Sequence, residues 1–487
     1  MSNNPIRQLA GETAIYGLGT IIPRLLNYFL VPFYTRVFAQ DEYGQITELY
    51  AWVAILMVML TYGMETSFFR YAELEKNAKK VFNTATGILL ITSIAFLILV
   101  MTFLGNIATS IQYEGHAEYI VLLAIIVAID AFTSLPFAFL RYQNKAKRFS
   151  TIKIISVLVN VFLNFLFILI IPRMLGEHIQ ESWLYSKTDL IGFVFVANLI
   201  STLTSLILLY PELRHFSLKI DRRLLRKMLS YGMPILIIGI AGMINEVSDK
   251  ILLKYLLPDR STAEAQIGIY GANYKLAILM MLFIQMFRYA AEPFFFRESG
   301  KTDARSIYSR VMTYFVIFTW FIFLGVTLYI DIFKYFIGPA FWVGLQIVPI
   351  ILGAKLFLGV FYNLSVWYKL TNKTLFGAII ATAGAVITLL LNIILIPRIG
   401  YLGSAWANFA CYAFIMIISY FWGRKVYPVD YNLKKIGFYS ILAISIYFVS
   451  KSYTGIIFTY QLSLNTLLIL LFAFVVFFRE RKHLRLK

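Results

Sequence analysis

Charge is scarce in this chain, and acidic charge scarcer still. Only 14% of its 487 residues are charged, with 25 acidic residues set against 44 basic ones. Its one cysteine, Cys411, lies in an apolar run, which excludes an intramolecular disulfide and any cysteine metal cluster. The four histidines (His116, His178, His215 and His483) fall in loops or the tail, so no histidine relay crosses an apolar segment. A P-loop, G-x-S-x-G, H-E-x-x-H and the Rossmann glycine fingerprint are all missing. What the chain has in abundance is apolar surface: 60% of its residues are hydrophobic. A soluble domain cannot bury that much. The expectation is an all-α polytopic membrane protein.

Runs long enough to cross about 30 Å of hydrocarbon fall roughly at 12–35, 44–69, 81–104, 117–140, 150–172, 189–210, 229–252, 266–288, 309–332, 342–367, 375–396, 401–422, 436–452 and 461–478. That is about fourteen helices, an even number that puts both termini on one side. The opening residues lack the regions of a cleaved signal peptide, so the first span is expected to stay in place. A net charge of +19 would suggest nucleic acid in a soluble protein. Here the charges follow topology instead, and no nucleic-acid partner is expected. The termini and even-to-odd loops hold about 32 of the 44 basic residues, the opposite loops about 8. Clusters such as Arg222-Arg223-Arg226-Lys227 and Lys145-Lys147-Arg148 belong to the rich side. By the positive-inside rule both termini are cytoplasmic. The opposite loops are short, the longest about 173–188, and offer no room for a catalytic domain.

The chain repeats weakly. Tyr16-Gly17 and Tyr231-Gly232 open the first and seventh spans, followed by Pro23 and Pro234, each placed to kink its helix. Tyr43-Gly44 is echoed by Tyr270-Gly271, Ile170-Ile171-Pro172-Arg173 by Leu395-Ile396-Pro397-Arg398, and Ala197-Asn198 by Ala407-Asn408. The organisation expected is an N-terminal lobe over 1–212, a C-terminal lobe over 213–426, and two added helices with a basic tail over 427–487. Six helices per repeat give the lobes one orientation, with a central cavity between them near the midplane.

Four cations, Arg24, Lys250, Lys275 and Lys355, interrupt the spans. A cation in hydrocarbon costs about 2.5–3.5 kcal/mol on insertion scales, so such residues usually face a polar cavity. A basic cavity points to an anionic cargo. Arg24 and Lys355, far from span ends, are expected to line it. Lys250 either joins them, pairs with Glu246 or snorkels to the interface. Lys275 is intermediate. Arg288, at a cytoplasmic helix end, is either a further cargo contact or half of a boundary pair with Glu292. Arginine grips phosphate bidentately while lysine acts as a mobile point charge, so a mixed set could hold a diphosphate and release it. Glu65 and Asp130, with Asp249, could carry H⁺ or Na⁺ for coupling, or serve as counter-ions. Asn27, Asn160, Asn245 and Asn392 add polar groups that either line the cavity or make interhelical hydrogen bonds worth about 0.6 kcal/mol each. No catalytic residue, metal or resident cofactor is expected.

The segment Leu391-Asn392-Ile393-Ile394-Leu395-Ile396-Pro397-Arg398-Ile399-Gly400-Tyr401-Leu402-Gly403-Ser404-Ala405-Trp406-Ala407-Asn408 resembles the LN-x-x-L-I-P-x-x-G-x-x-G-A-A-x-A stretch of bacterial polysaccharide flippases. Gly268-Ile269-Tyr270 with Asn273-Tyr274-Lys275 resembles their G-x-Y-x-x-A-x-K, and Asp41-Glu42-Tyr43-Gly44 their E-x-Y-G turn. Together these resemble a Wzx-type O-antigen flippase of the MOP exporter superfamily, over nearly the whole chain. Departures are Ser404, Asn273 and Asp41, and the first-lobe copy of the span-eleven motif has lost its glycine-alanine half. The resemblance implies a bacterial inner-membrane transporter, not an enzyme, that moves undecaprenyl-diphosphate-linked oligosaccharide by alternating access for polysaccharide or lipopolysaccharide synthesis. Its partners would be the lipid-linked glycan, membrane lipids, and glycan polymerase and glycosyltransferases. Lipid II remains an alternative cargo. Multidrug MATE relatives usually carry cations and would want an acidic cavity. A membrane polymerase or glycosyltransferase would normally show a long extracytoplasmic loop or a clustered acidic motif.

Overall fold

The computed structural model describes residues 21–484 apart from 76, 177–184, 186–188, 215, 372 and 454–456. Among the described residues there is no strand. The principal helices are α1 (Leu30–Val37), α2 (Gln40–Thr61), α3 (Met64–Leu74), α4 (Ala78–Thr102), α5 (Ala117–Tyr142), α6 (Ala146–Phe165), α7 (Leu190–Leu208) and α8 (Arg222–Leu256). They continue as α9 (Ala263–Lys275), α10 (Ile278–Glu298), α11 (Ala304–Leu328), α12 (Val348–Leu364), α13 (Thr374–Ile399), α14 (Tyr401–Val426), α15 (Leu433–Ser452) and α16 (Phe458–Leu484). Hydrocarbon leaves backbone groups no partner but their own helix, which is why runs this apolar fold this way.

Among the described residues, twelve helices are long and apolar enough to cross a membrane. The bent pair Arg260–Lys275 and Ile278–Arg288, at 51°, makes a thirteenth if it is one span. The first expected span lies partly outside the described residues, so the count of fourteen rests in part on that segment. Its described end is a helix over 21–28, which contains Pro23, followed by α1.

Three breaks depart from the hydropathy reading. The second span divides at Tyr62 and Gly63, both at positive φ, and continues as α3. The eighth divides between α9 and α10. The fifth ends in a π-turn over Leu166–Ile170 before Pro172, whose missing N–H cannot extend an α ladder. The matching Pro397 lies inside an unbroken α13, so the two copies of that motif differ in backbone. Pro234 likewise lies within a continuous α8. At 35 residues, α8 is about 52 Å long and outreaches the hydrocarbon.

The chain divides into two compact units, one of residues 1–30 and 49–243, the other of 31–48 and 244–487. The division near the middle falls within α8, whereas the lobe limit read from sequence, 212/213, lies before it. Helices α15 and α16 belong to the second unit.

In the first unit, α3, α4, α5 and the start of α8 share a core of Met64, Phe68, Val81, Phe82, Leu135, Leu224 and Met228. A Cβ on Gly63 would come within 2.8 Å of Gly232 O, and one on Gly232 within 2.9 Å of Tyr62 O. Small residues let the backbones meet there. Ser67 Oγ then donates to Met228 O at 3.0 Å.

In the second unit, α2 and α9 cross at Gly44 and Gly268. A Cβ on Gly44 would stand 1.8 Å from Glu264 O, and one on Gly268 1.9 Å from Gln40 O. Beside this crossing, Lys254 Nζ lies 3.0 Å from Glu48 Oε2 and 3.5 Å from Glu264 Oε1, with Glu48 and Lys254 almost wholly buried.

Candidate functional site

The polar groups of the second unit converge on one stretch of α8. Asn245, Glu246, Asp249 and Lys250 form adjoining pairs on α8, since residues three and four apart are neighbours on a helix. Three other helices close on that stretch: Tyr270 and Tyr274 from α9, Lys355 from α12 and Tyr412 from α14.

Glu246 is the hub. Lys355 Nζ donates to its Oε2 at 2.8 Å, Tyr412 OH to the same oxygen at 3.0 Å, and Tyr274 OH to Oε1 at 2.8 Å. The Lys355 ammonium lies 4.9 and 5.0 Å from the ring centroids of Tyr274 and Tyr412, a cation–π arrangement on two sides. The Lys355 side chain is 0% exposed, whereas that of Glu246 is 30% exposed.

Asp249 forms a second, smaller hub. Tyr270 OH donates to its Oδ2 at 2.6 Å and Lys250 Nζ to its Oδ1 at 3.1 Å. Lys250 Nζ also donates to the backbone oxygen of Glu246 at 3.0 Å and stands 4.3 Å from the Tyr274 ring centroid. Lys250 therefore does not pair with the Glu246 carboxylate four residues before it, as its spacing allowed. Lys275, at the end of α9, is accessible and within electrostatic reach of Lys250 and Glu246. Three lysines and two carboxylates thus share this part of the second unit.

An amide layer continues the polar face. Thr388 Oγ1 donates to Asn245 Oδ1 at 2.9 Å, and Asn408 Nδ2 to Asn245 O at 3.2 Å. Asn392 Nδ2 donates to Thr388 O at 2.8 Å, while its buried Oδ1 has no hydrogen-bond partner among the described residues. Asn245 thus serves as an interhelical pin, whereas the hydrogen bond of Asn392 stays within α13. Cys411 is buried, its Sγ 3.4 Å from Gly384 O. Arg288, on α10, is exposed with its guanidinium 4.9 Å from the Tyr362 ring centroid, and the Glu292 side chain lies outside the described residues.

The remaining residues singled out from sequence belong to the first unit. Arg24 is exposed on the helix over 21–28, and Asn27 on the same helix accepts from Asn160 Nδ2 at 3.1 Å. Glu65 pairs with Arg141, and Asp130 faces Lys153 and the Thr202 hydroxyl. Sequence reasoning missed Tyr270, Tyr274 and Tyr412 and gave Glu246 only a local role. The signal was present in α9, where Tyr270 and Tyr274 sit one turn apart on a helix that ends in Lys275.

The profile of the family described as "Polysaccharide biosynthesis protein" matches residues 9–299. No curated protein matches the sequence. Among solved structures, one titled "Lipid II flippase MurJ, inward closed conformation" superposes with a TM-score of 0.70 at 14% identity, covering 97% of this chain and 100% of that one. A multidrug MATE transporter of the MOP superfamily in an inward-facing conformation gives 0.59 at 14% identity, covering 85% and 94%. The MATE multidrug transporter DinF-BH gives 0.63 at 17% identity, covering 87% and 96%. Identities this low establish a common fold and nothing finer.

Proposed function

The chain belongs to the polysaccharide biosynthesis protein family, and from that premise we propose that it is a flippase for a polyprenyl-diphosphate-linked oligosaccharide. In this reading it sits in a bacterial inner membrane with both termini cytoplasmic, works by alternating access, and catalyses no covalent step. The observation that carries the reading is the group of Lys250, Lys275 and Lys355 around Glu246 and Asp249, a lysine-rich site in a helical membrane protein. A cationic drug would meet three ammonium groups there, and a diphosphate would meet complementary charge. Arg24 and Arg288, both exposed, are proposed as further cargo contacts, with guanidinium geometry suited to phosphate oxygens.

Each lysine has a distinct place in this scheme. Lys275 is accessible to an incoming phosphate. Lys355 is held by Glu246 and becomes available when that carboxylate gains a proton or when the cargo's oxygens replace it. Exchange of one anion for another at a buried ammonium avoids a bare charge in hydrocarbon at every stage. Release reverses it, so one carboxylate links occupancy by cargo to protonation.

The test is reconstitution of the purified protein in vesicles with a fluorescent undecaprenyl-diphosphate oligosaccharide, with lipid II in a parallel set. Protein-dependent transfer of the oligosaccharide lipid, reduced at least about tenfold in a Lys275→Gln/Lys355→Gln protein, is the expected result. Transfer of lipid II alone would reassign the cargo. Transfer of neither, with uptake of cationic dyes, would sink the anionic-cargo reading.

A further inference from the structure

The basic run Arg222-Arg223-Arg226-Lys227 does more than report topology. It lines an open basin of about 840 Å³ in the first unit together with Arg70 and Tyr71 from α3 and Ser230 and Tyr231 from α8. The break at Tyr62 and Gly63 sets the direction of α3 and so brings Arg70 here. Its guanidinium lies 4.2 Å from the Tyr231 ring centroid, and the Tyr71 and Tyr231 rings meet edge to face at 6.4 Å. Tyr71 OH donates to Lys227 O at 3.3 Å, which ties the two helices together.

Five cations share this basin, and none makes an ion pair with a carboxylate among the described residues. Asp221, which immediately precedes the basic run, is committed to Lys80 at 2.5 Å, and Glu65 on α3 to Arg141. The arrangement also works against the helix that carries it. Arg222 and Arg226, and Arg223 and Lys227, are like-charge pairs four residues apart. All sit at the positive end of the α8 dipole, where an anion is favoured and a cation is not. A bound anion would reverse each of these penalties, and tyrosine hydroxyls and guanidinium forks suit phosphate oxygens.

We propose that this basin binds the phosphate of a lipid headgroup in the leaflet on the arginine- and lysine-rich side, the side assigned to the cytoplasm. It is a separate site from the lysine group of the second unit and does not rest on the cargo proposed there. Cytoplasmic leaflets carry anionic lipids that basic juxtamembrane clusters attract. Two lipids carry the required chemistry, a glycerophospholipid phosphodiester and a polyprenyl diphosphate, and binding competition separates them.

The full-length protein in detergent is titrated with dioctanoyl phosphatidylglycerol and with dioctanoyl phosphatidylcholine as the zwitterionic control. Phosphatidylglycerol should bind at least about tenfold more tightly, and an Arg70→Gln/Arg226→Gln protein should lose about tenfold of that affinity. Lys145→Gln/Lys147→Gln, which removes the same charge elsewhere on that side, should bind as the unaltered protein does. Arg70→Lys/Arg226→Lys should retain most of the affinity. Displacement by farnesyl diphosphate at far lower concentration than by inorganic phosphate assigns the basin to a diphosphate lipid, and no displacement assigns it to a glycerophospholipid. Should the glutamine variant fail to fold, Arg222→Gln/Arg223→Gln removes the same charge from α8 alone. Equal affinity for the two phospholipids, or unchanged binding in a folded glutamine variant, overturns the proposal.

Discussion

Lys355 Nζ lies 2.8 Å from Glu246 Oε2 although 109 residues separate the two in sequence, and Tyr412 OH shares that oxygen at 3.0 Å. The lysine expected to face cargo directly is instead held by a carboxylate and two aromatic rings. A buried pair of this kind is costly to break from one side and far less costly to replace as a whole, because the loss comes from the charge left without a partner.

Lys355→Ala should therefore cost about 3–5 kcal/mol of stability, seen as lower membrane abundance and earlier thermal unfolding in detergent. Lys355→Met combined with Glu246→Gln should recover most of that stability while glycan display stays lost. Equal instability of the single and double variants would show that the pair is not what Lys355→Ala breaks. Within the charged series, Lys355→Arg should retain more transport than Lys355→Gln.

The helix crossing at Gly44 and Gly268 gives a prediction independent of charge. Gly44→Ala would place a methyl 1.8 Å from Glu264 O, so backbone must move; the expected outcome is a drop in folded protein read by size-exclusion chromatography. Gly268→Ala should behave alike. Gly105→Ala, in the first turn of the short helix Leu104–Ile111, meets nothing within 4 Å and should be neutral or slightly stabilising, by at most about 0.5–1 kcal/mol from helix propensity. A normal elution profile for Gly44→Ala would show that the crossing is looser than described.

Membrane helices were legible in the sequence because each is a long apolar run, and hydrocarbon permits such a run one backbone solution. The lysine positions were legible for the same reason, as interruptions in that pattern. Their partners were not. Glu246 meets Lys355, and Glu65 meets Arg141, across 109 and 76 residues. Helical periodicity speaks only of neighbours three and four apart. The break after Lys275 was equally hidden, because it goes with tertiary contact: Asn273 Nδ2 donates both to Ile269 O and to Phe341 O, each at 2.8 Å. Asn273 stands where the resembling motif has alanine, so the departure from pattern marked a structural role.

Coupling is testable at three carboxylates in different settings. Glu246→Gln imitates the protonated hub and leaves Lys355 without its anion, so flipping in vesicles should no longer respond to an imposed H⁺ gradient. Asp130→Asn, beside Lys153, is expected to weaken that response, whereas Glu65→Gln, which breaks a pair with Arg141, should chiefly reduce folded protein. Unchanged gradient dependence in Glu246→Gln and Asp130→Asn, for Na⁺ as well as H⁺, would exclude both as coupling groups.

Lys275 separates cargo binding from stability most cleanly. Removal of Lys355 strands Glu246, and removal of Lys250 takes a donor from Asp249, so both variants mix folding with function. Lys275 is accessible, and Glu246 and Asp249 keep Lys355, Tyr412, Tyr274, Tyr270 and Lys250 as donors when it is replaced. Lys275→Gln should leave abundance and thermal unfolding within error of the unaltered protein, yet reduce surface glycan display by about tenfold or more if one phosphate contact is worth about 1.5–3 kcal/mol. Lys275→Arg should retain most display, because the charge persists. Arg24→Lys should be partly defective and Arg24→Ala more so, since a bidentate grip on phosphate is lost before the charge is. Full display by both Lys275→Gln and Arg24→Ala at normal abundance would leave these cations structural and remove the case for an anionic cargo.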